Sequence, residues 1–494
     1  MAYVVGIDVG SQSVKAVLVD EDGDTRATAS APCDTHYPAS GWAEQDARRW
    51  EEAITQSIRE LRRTAGIGRE EVTMLALACQ VDGLVALDRE LRPLRPAIIW
   101  LDRRATAQSA RLSDAVGEAA LIERTGLNPD ASHTAPKAMW LRDEEPHHFR
   151  AARWLVSTVG HLNGWLTGEV VQDHADASSS LLYNLATRDW CGELVGLAGL
   201  DPDKLPAIRP AHDVIGPLRA AVADQLGLST RCHVAVGTGD DHGAALGAGA
   251  VAPGIVVDVT GTAEPVAVPS RELVLDELRL VETHAHAVDG MLLIENPGFV
   301  SGGSTSWWAR AQGIPQGEVF AQAALAPPGS DGALFLPTLS GSTAPRWNDR
   351  MRGCFAGIGL HHELAHMSRA ILEGCSFALR DIVDRFAQMG LGGEEIRVVG
   401  GGSRSPLWLQ IKADVTGRTV RVVRGETTSA GAAMLAGVAS GLFTDLPEAA
   451  SRMVRIAPEP VVPRPETRER YEDAYRAYRR LYDGVEQALA VGGA

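Results

Sequence analysis

A chain of 494 residues is too long for a single hydrophobic core, and two domains of ordinary or large size are its natural division. Apolar residues make up 45% and charged residues 22%, the balance of a soluble globular protein. A formal net charge of −16 argues against a nucleic acid or an anionic membrane as partner, because such a field repels polyanions, so any bound phosphate has to be gripped locally by backbone amides, a metal or single basic residues.

Residues 3–8 read as a strand, Gly10 to Ser13 as a tight turn and residues 14–19 as the returning strand. The tip sets Ser11 and Gln12 beside Asp8. Such a tip can wrap a phosphate with N–H groups while the carboxylate holds a metal through water, or it can be a purely structural hairpin. A helix is expected over residues 47–65. The strand 74–79 then delivers Gln80, Val81, Asp82 and Gly83, and a further strand from residue 96 ends at Trp100 and Asp102. A tryptophan at a strand end is usually core. The alternative is a flat wall for the carbon face of a polyol whose hydroxyls bond Gln80 and Asp82.

Near the middle, Val234, Ala235 and Val236 read as a buried strand running into Gly237, Thr238, Gly239, Asp240, Asp241, His242 and Gly243. A carboxylate at such a strand end is placed to take a proton from a bound hydroxyl, although the same residues suit a turn that caps a helix. A second hairpin follows: an apolar strand over 255–259 carrying Asp258, a turn at Thr260, Gly261 and Thr262, and an apolar return over 265–268. Two such hairpins half a chain apart imply a duplicated architecture clasping a nucleotide from both sides. The absence of G-x-x-x-x-G-K-[ST] excludes a P-loop enzyme.

Farther on, Trp307 and Trp308 read as packing on a helix, and residues 362–389 as an amphipathic helix stopped by Gly390. The strand 396–399 runs into Gly400, Gly401, Gly402 and Ser403 and then a helix from Pro406, a geometry able to receive an anion or nucleotide. Residues 431–441 form a small-residue helix suited to close packing beneath a ligand, and a tyrosine-striped helix closes the chain. Residues 430–443 are the most membrane-like segment, but too short and too rich in Gly and Ala to span a bilayer. Asp8 interrupts the apolar N-terminus, which is not read as a signal peptide. Six scattered cysteines without a C-x-x-C pair are read as reduced thiols of a cytoplasmic protein.

Together these motifs resemble the FGGY family of carbohydrate kinases, most closely its xylulose kinase branch, from residue 3 to about residue 443. Gly6-Ile7-Asp8-Val9-Gly10-Ser11 is similar to the first phosphate motif, and residues 132–144 to the first signature, with Ala138 where a larger apolar residue is usual. Gly353 to Ile358 with His366, Met367 and Ala370 to Glu373 matches the second signature, and Gly400 to Ser405 resembles the adenosine loop. The resemblance implies an α/β, two-domain actin/hexokinase-like fold, a duplicated ribonuclease H-like ATPase architecture with an interdomain cleft, divided into residues 1–250 and 251–494. It implies ATP and Mg²⁺ as cofactors and transfer of the γ-phosphoryl group to a sugar hydroxyl. Asp240 matches the catalytic base. Asp8 matches the carboxylate near the metal, held through water. Ser11, Gln12, Lys15, Gly261, Thr262, Gly401, Gly402 and Ser403 fall on the nucleotide side, and Gln80, Val81, Asp82, Trp100, Asp241 and His242 on the acceptor side. The partners implied are a small sugar and ATP, with a homodimer as one assembly allowed. Val81 and Asp82 stand where xylulose kinases carry Met-His, and His242 where a small residue is common. A compensating pair between His242 and Asp82 is one expectation. D-Xylulose is then the expected acceptor; ribulose, a tetritol or pentitol, glycerol, or a non-catalytic sugar-sensing role are the alternatives.

Overall fold

The computed structural model describes residues 2–491. Two seven-stranded sheets carry the chain. The first has the order Val214–Pro217, His233–Ala235, Val72–Cys79, Tyr3–Val9, Ser13–Val19, Thr25–Pro32, and the short strand Thr238–Gly239 also pairs with Val72–Cys79. Tyr3–Val9 lies antiparallel to Ser13–Val19 and parallel to Val72–Cys79. The second sheet repeats the plan. Val256–Val259 is antiparallel to Ala263–Ser270 and parallel to Glu395–Val399, which lies parallel to Thr419–Arg424. Each half is thus built around a hairpin whose first strand is central in its sheet, the duplicated arrangement expected of the actin and hexokinase class.

Tyr3–Val9 is buried on both faces, which is why it reads as an apolar run up to Asp8. Val5, Ile7 and Val9 meet Trp50, Ile54, Ile58 and Leu61, the buried stripe of the helix Ala47–Ala65. Asp46 caps that helix by accepting from the N–H of Arg48. The opposite face, with Val4, Val17, Met74 and Ala76, is covered by a helix from the far half, Thr427–Ala439.

That helix also crosses Asp240–Gly247, and the crossing is made of small residues. A Cβ on Gly431 would overlap the carbonyl of Gly243, and one on Gly6 would overlap the carbonyl of Ser429. Backbones in such contact fix how the two halves sit. The small-residue helix expected beneath a ligand therefore starts earlier than 431 and works as the joint between the halves. A second junction lies at Glu282–Ala285, where Thr283 donates to the carbonyl of Gly126 at 3.0 Å and Asn128 donates to Glu282 at 2.8 Å.

The long amphipathic helix is Leu364–Gln388, and the closing helix Arg468–Val491 buries Tyr471, Tyr478 and Tyr482 beside Phe377. Trp307 and Trp308 pack against Phe355, as the packing reading has it. No helix among the described residues is long and apolar enough to cross a membrane.

Candidate active site

The register of the first sheet brings two carboxylates to the same strand ends. Asp8 lies opposite Lys15 within its hairpin and beside Ala78. Thr238 and Gly239 pair with Ala78 and Cys79, and Asp240 opens the helix that follows. Burial, then the charge of Asp240, with Glu426 adding and Lys15 opposing, pushes the Asp8 carboxyl up to about 8. Burial raises Asp240 to about 6 against the N–H groups of Asp241, Asp240 and Val81, and the charge of Asp82 adds to the rise. Asp241 is driven well above the usual carboxylate range by burial and by Asp240, Asp82 and Asp8. Asp240 and Asp241 are partly open to water, yet protein surrounds them in depth, so the cost of charging them is that of an interior site.

The bond from the Val81 N–H ties the strand end of residues 80–82 to Asp240. Gln80 donates to Gln45 at 2.7 Å, and its own Oε1 is buried without a partner among the described residues. Asp82 adopts φ 62°, in the left-handed region that Asp tolerates better than most residues. Its Oδ1 lies 3.1 Å from Nδ1 of His133, and Lys137 donates to its carbonyl at 2.5 Å. Burial opposes charge on His133, but Asp82, with Glu282 and Asp130, raises it to about 9. Burial carries the neighbouring Lys137 down to about 7.

The partner of Asp82 is therefore His133, and the expected pairing with His242 does not form. The His242 ring packs 5.8 Å from His284 and 6.3 Å from His286. Burial and those two rings hold it well below the usual imidazole range, hence neutral. Trp100 is half-buried two residues beyond Ile98, which bridges to Leu84. Asp102 is fully engaged inside the protein, accepting from the N–H of Ala43 at 2.6 Å and from Arg104 at 2.7 Å. His133 and Lys137 escaped the sequence reading of roles although both lie in the signature stretch; their spacing of four at the start of the helix Thr134–Glu144 is the signal that puts them on one face.

The residues expected on the nucleotide side form a second group. At the first tip, the carbonyl of Ser11 accepts from Gln45 at 2.7 Å and that of Gln12 from the N–H of Cys33 at 2.9 Å. At the second, the carbonyl of Gly261 accepts from Gly302 at 3.0 Å and that of Thr262 from Ser301 at 3.1 Å. Because C=O and N–H of a trans peptide point in opposite directions, carbonyls pinned from behind turn the N–H groups of Gln12 and Thr262 outward. Gly401, Gly402 and Ser403 lie in a short turn against the second hairpin, where Gly402 donates to the carbonyl of Thr260 at 3.1 Å. The Ser403 hydroxyl closes that turn on Gly400 at 2.7 Å. Lys15 pairs with Glu426 at 2.9 Å. Glu295, on a strand of the second sheet, is raised by burial and by Asp241, Glu282, Asp82 and Asp240, so the acidic group spans both halves.

A hard divalent cation suits this donor set. Asp8 and Asp240 offer carboxylate oxygens that burial holds up, Asp8 also by the charge of Asp240 and Asp240 by that of Asp82, a cost that a nearby cation offsets. Among the described residues no cluster of three or more His, Cys, Asp or Glu is spaced to hold an ion, so a cation here would take most of its ligands from phosphate and water.

Residues 3–247 match the N-terminal domain of the FGGY family of carbohydrate kinases and residues 283–440 its C-terminal domain. The xylulose kinase of Lactococcus lactis subsp. lactis is 29% identical over 99% of this chain and 98% of its own length. The glycerol kinase of Citrifermentans bemidjiense is 32% identical over 97% of this chain and 98% of its own. The crystal structure of xylulose kinase from Rhodospirillum rubrum superposes with a TM-score of 0.90 at 29% identity, covering 99% of this chain and 100% of that one. Both halves being matched, and the relatives end to end, this chain belongs to the FGGY family of carbohydrate kinases.

Proposed function

We propose that the protein phosphorylates a pentulose with ATP, D-xylulose to D-xylulose 5-phosphate, with residues 1–250 on the sugar side and 251–494 on the nucleotide side. The observation that carries this reading is the placement of Asp240 beside both Asp8 and the residue 80–82 strand end. Asp240 takes the proton of the primary hydroxyl as it attacks, a contribution of about 10²- to 10⁴-fold. Gln80, through its unpartnered Oε1, and Asp82 bond the sugar hydroxyls, with Trp100 as the flat wall and Val81, Asp241 and His242 lining the same side. Lys15 and the outward N–H groups of both hairpin tips hold the triphosphate, and Gly401, Gly402 and Ser403 border the adenosine. Asp8 orients Mg²⁺ through water; the bound ion supplies charge neutralisation of the transferring phosphate. Positioning dominates the barrier of phosphoryl transfer, so the close backbone joint between the halves suits the task.

The Asp82–His133 pair favours a second reading, an acceptor other than xylulose: ribulose, a tetritol or pentitol, or glycerol. A coupled ADP-release screen over ketopentoses and polyols decides between them; a clear preference for a non-pentulose overturns the first reading. Asp240→Ala tests the chemistry. It should keep nucleotide and sugar binding and lose nearly all turnover, and turnover like wild type would remove Asp240 from the role. Sugar binding by the wild-type protein with no ADP release would favour a non-catalytic sensor.

A further inference from the structure

The second hairpin rests on a buried ion cluster that no ligand-facing role explains. Lys412, in the helix Pro406–Thr416, is almost wholly enclosed. Its ammonium donates to Asp258 at 2.5 Å, to the Thr260 hydroxyl at 2.6 Å and to Glu264 at 2.9 Å. All three donors of the ammonium are thereby used, two on charged partners. Glu264 in turn accepts from the Ser301 hydroxyl, and Thr260 donates to Asp258 at 2.9 Å. Burial and Asp258 raise Glu264 to about 7, opposed by Lys412, so the ammonium is what keeps two enclosed carboxylates tolerable.

Thr260 is the residue on which the two nucleotide-side loops converge. It precedes Gly261 and Thr262 in the hairpin turn. Its carbonyl accepts from Gly402, its N–H donates to Val399, and a Cβ on Gly402 would overlap its side chain. A shift of Thr260 thus moves both loops.

We propose that Lys412 is a positioning residue for the nucleotide: it pins Thr260, and through it sets the distance between the phosphate hairpin and the Gly400–Gly402 loop. The proposal rests on the nucleotide side assigned above. Lys412 touches no ligand, and a merely structural lysine would affect both substrates alike.

The test compares wild type, Lys412→Met and Thr260→Val in ADP binding by calorimetry, in steady-state kinetics and in thermal melting. Thr260→Val keeps the branched shape and the carboxylate pair while deleting the hydroxyl, so it decides the matter if Lys412→Met does not fold. The expected result is a rise in ATP KM and ADP Kd of about tenfold or more, the effect of a lost bond to a charged group, with acceptor KM within about twofold of wild type. Lys412→Met combined with Glu264→Gln should melt higher than Lys412→Met while binding ADP no better. Nucleotide affinity like wild type in a folded variant overturns the proposal, as does a parallel loss for both substrates that tracks melting temperature. Failure of the wild-type protein to bind ADP would instead overturn the nucleotide assignment beneath it.

Discussion

Lys15 of the first hairpin and Glu426, just ahead of the helix that joins the halves, meet at 2.9 Å across 411 residues of chain. Their side chains are 40% and 42% exposed, and a surface pair of that kind contributes only about 0–1 kcal/mol. Its consequence is electrostatic. Lys15 opposes, and Glu426 reinforces, the rise at Asp8. Lys15→Met should therefore leave the melting midpoint within about 2–3 °C, since little stability is at stake. The same substitution should lower kcat/KM for ATP about tenfold or more, because it deletes the cation proposed to hold phosphate. Melting curves beside initial-rate kinetics check both halves of this expectation.

The pH profile carries a second prediction. In its proposed role Asp240 serves as a base only when ionised, and burial raises its carboxyl to about 6. The rate at saturating ATP should fall on the acid side of about pH 6 as Asp240 protonates. The charge of Asp82 adds to the rise, so Asp82→Asn should move the acid limb to lower pH, whatever it does to acceptor affinity. A rate profile over pH 5–8 for both proteins reads the shift, and a limb that moves to higher pH would contradict the assignment.

His133 gives a prediction on the acceptor side alone. It is the side-chain partner of Asp82 at 3.1 Å and is buried, with Glu282 of the opposite half also acting on its charge. His133→Leu should raise acceptor KM about tenfold and leave ATP KM unchanged, because an unpaired Asp82 no longer keeps its aim. His133→Gln keeps a donor and should recover part of that loss. Acceptor and ATP titrations on the two variants separate this from a general defect.

Much of this site is legible along the chain because its parts are strand ends. Asp8, Asp82 and Asp240 each follow an apolar run, and period and glycine punctuation reveal such runs without any knowledge of their neighbours. The helices Ala47–Ala65 and Leu364–Gln388 were equally plain from their apolar stripes. Pairing across the halves was not. That Asp82 takes His133 rather than His242 depends on how the residue 126–133 loop packs on Glu282–Ala285, a contact between segments some 150 residues apart. The strands Glu282–Ala285 and Leu292–Val300 are hidden for a related reason: buried Glu282, His284, Glu295 and Asn296 break their apolar pattern, and two of these, Glu282 and His284, reach the other half through Asn128 and Ser179. Lys412 carries no signal of its own in the sequence; only the fold brings Asp258 and Glu264 to its ammonium.

The joint between the halves supplies the last prediction. At Gly431 the obstacle to a side chain is the backbone of Gly243, which no rotamer change can move. Gly431→Ala must therefore push Thr427–Ala439 away from Asp240–Gly247, and overpacking of this kind costs about 1–3 kcal/mol. The helix it presses on begins with Asp240, so the proposed base shifts against a hairpin tip whose carbonyls are pinned elsewhere, and a misplacement near 1 Å can cost roughly 10²-fold in rate. Gly196→Ala is the matching control. It also lies in a helix, but its added methyl meets open space, so it should be neutral or stabilise by up to about 1 kcal/mol with kcat unchanged. Denaturant unfolding together with kcat for the two variants distinguishes a joint that sets catalytic geometry from one that only holds the halves together: in the second case Gly431→Ala would lose stability and keep its turnover.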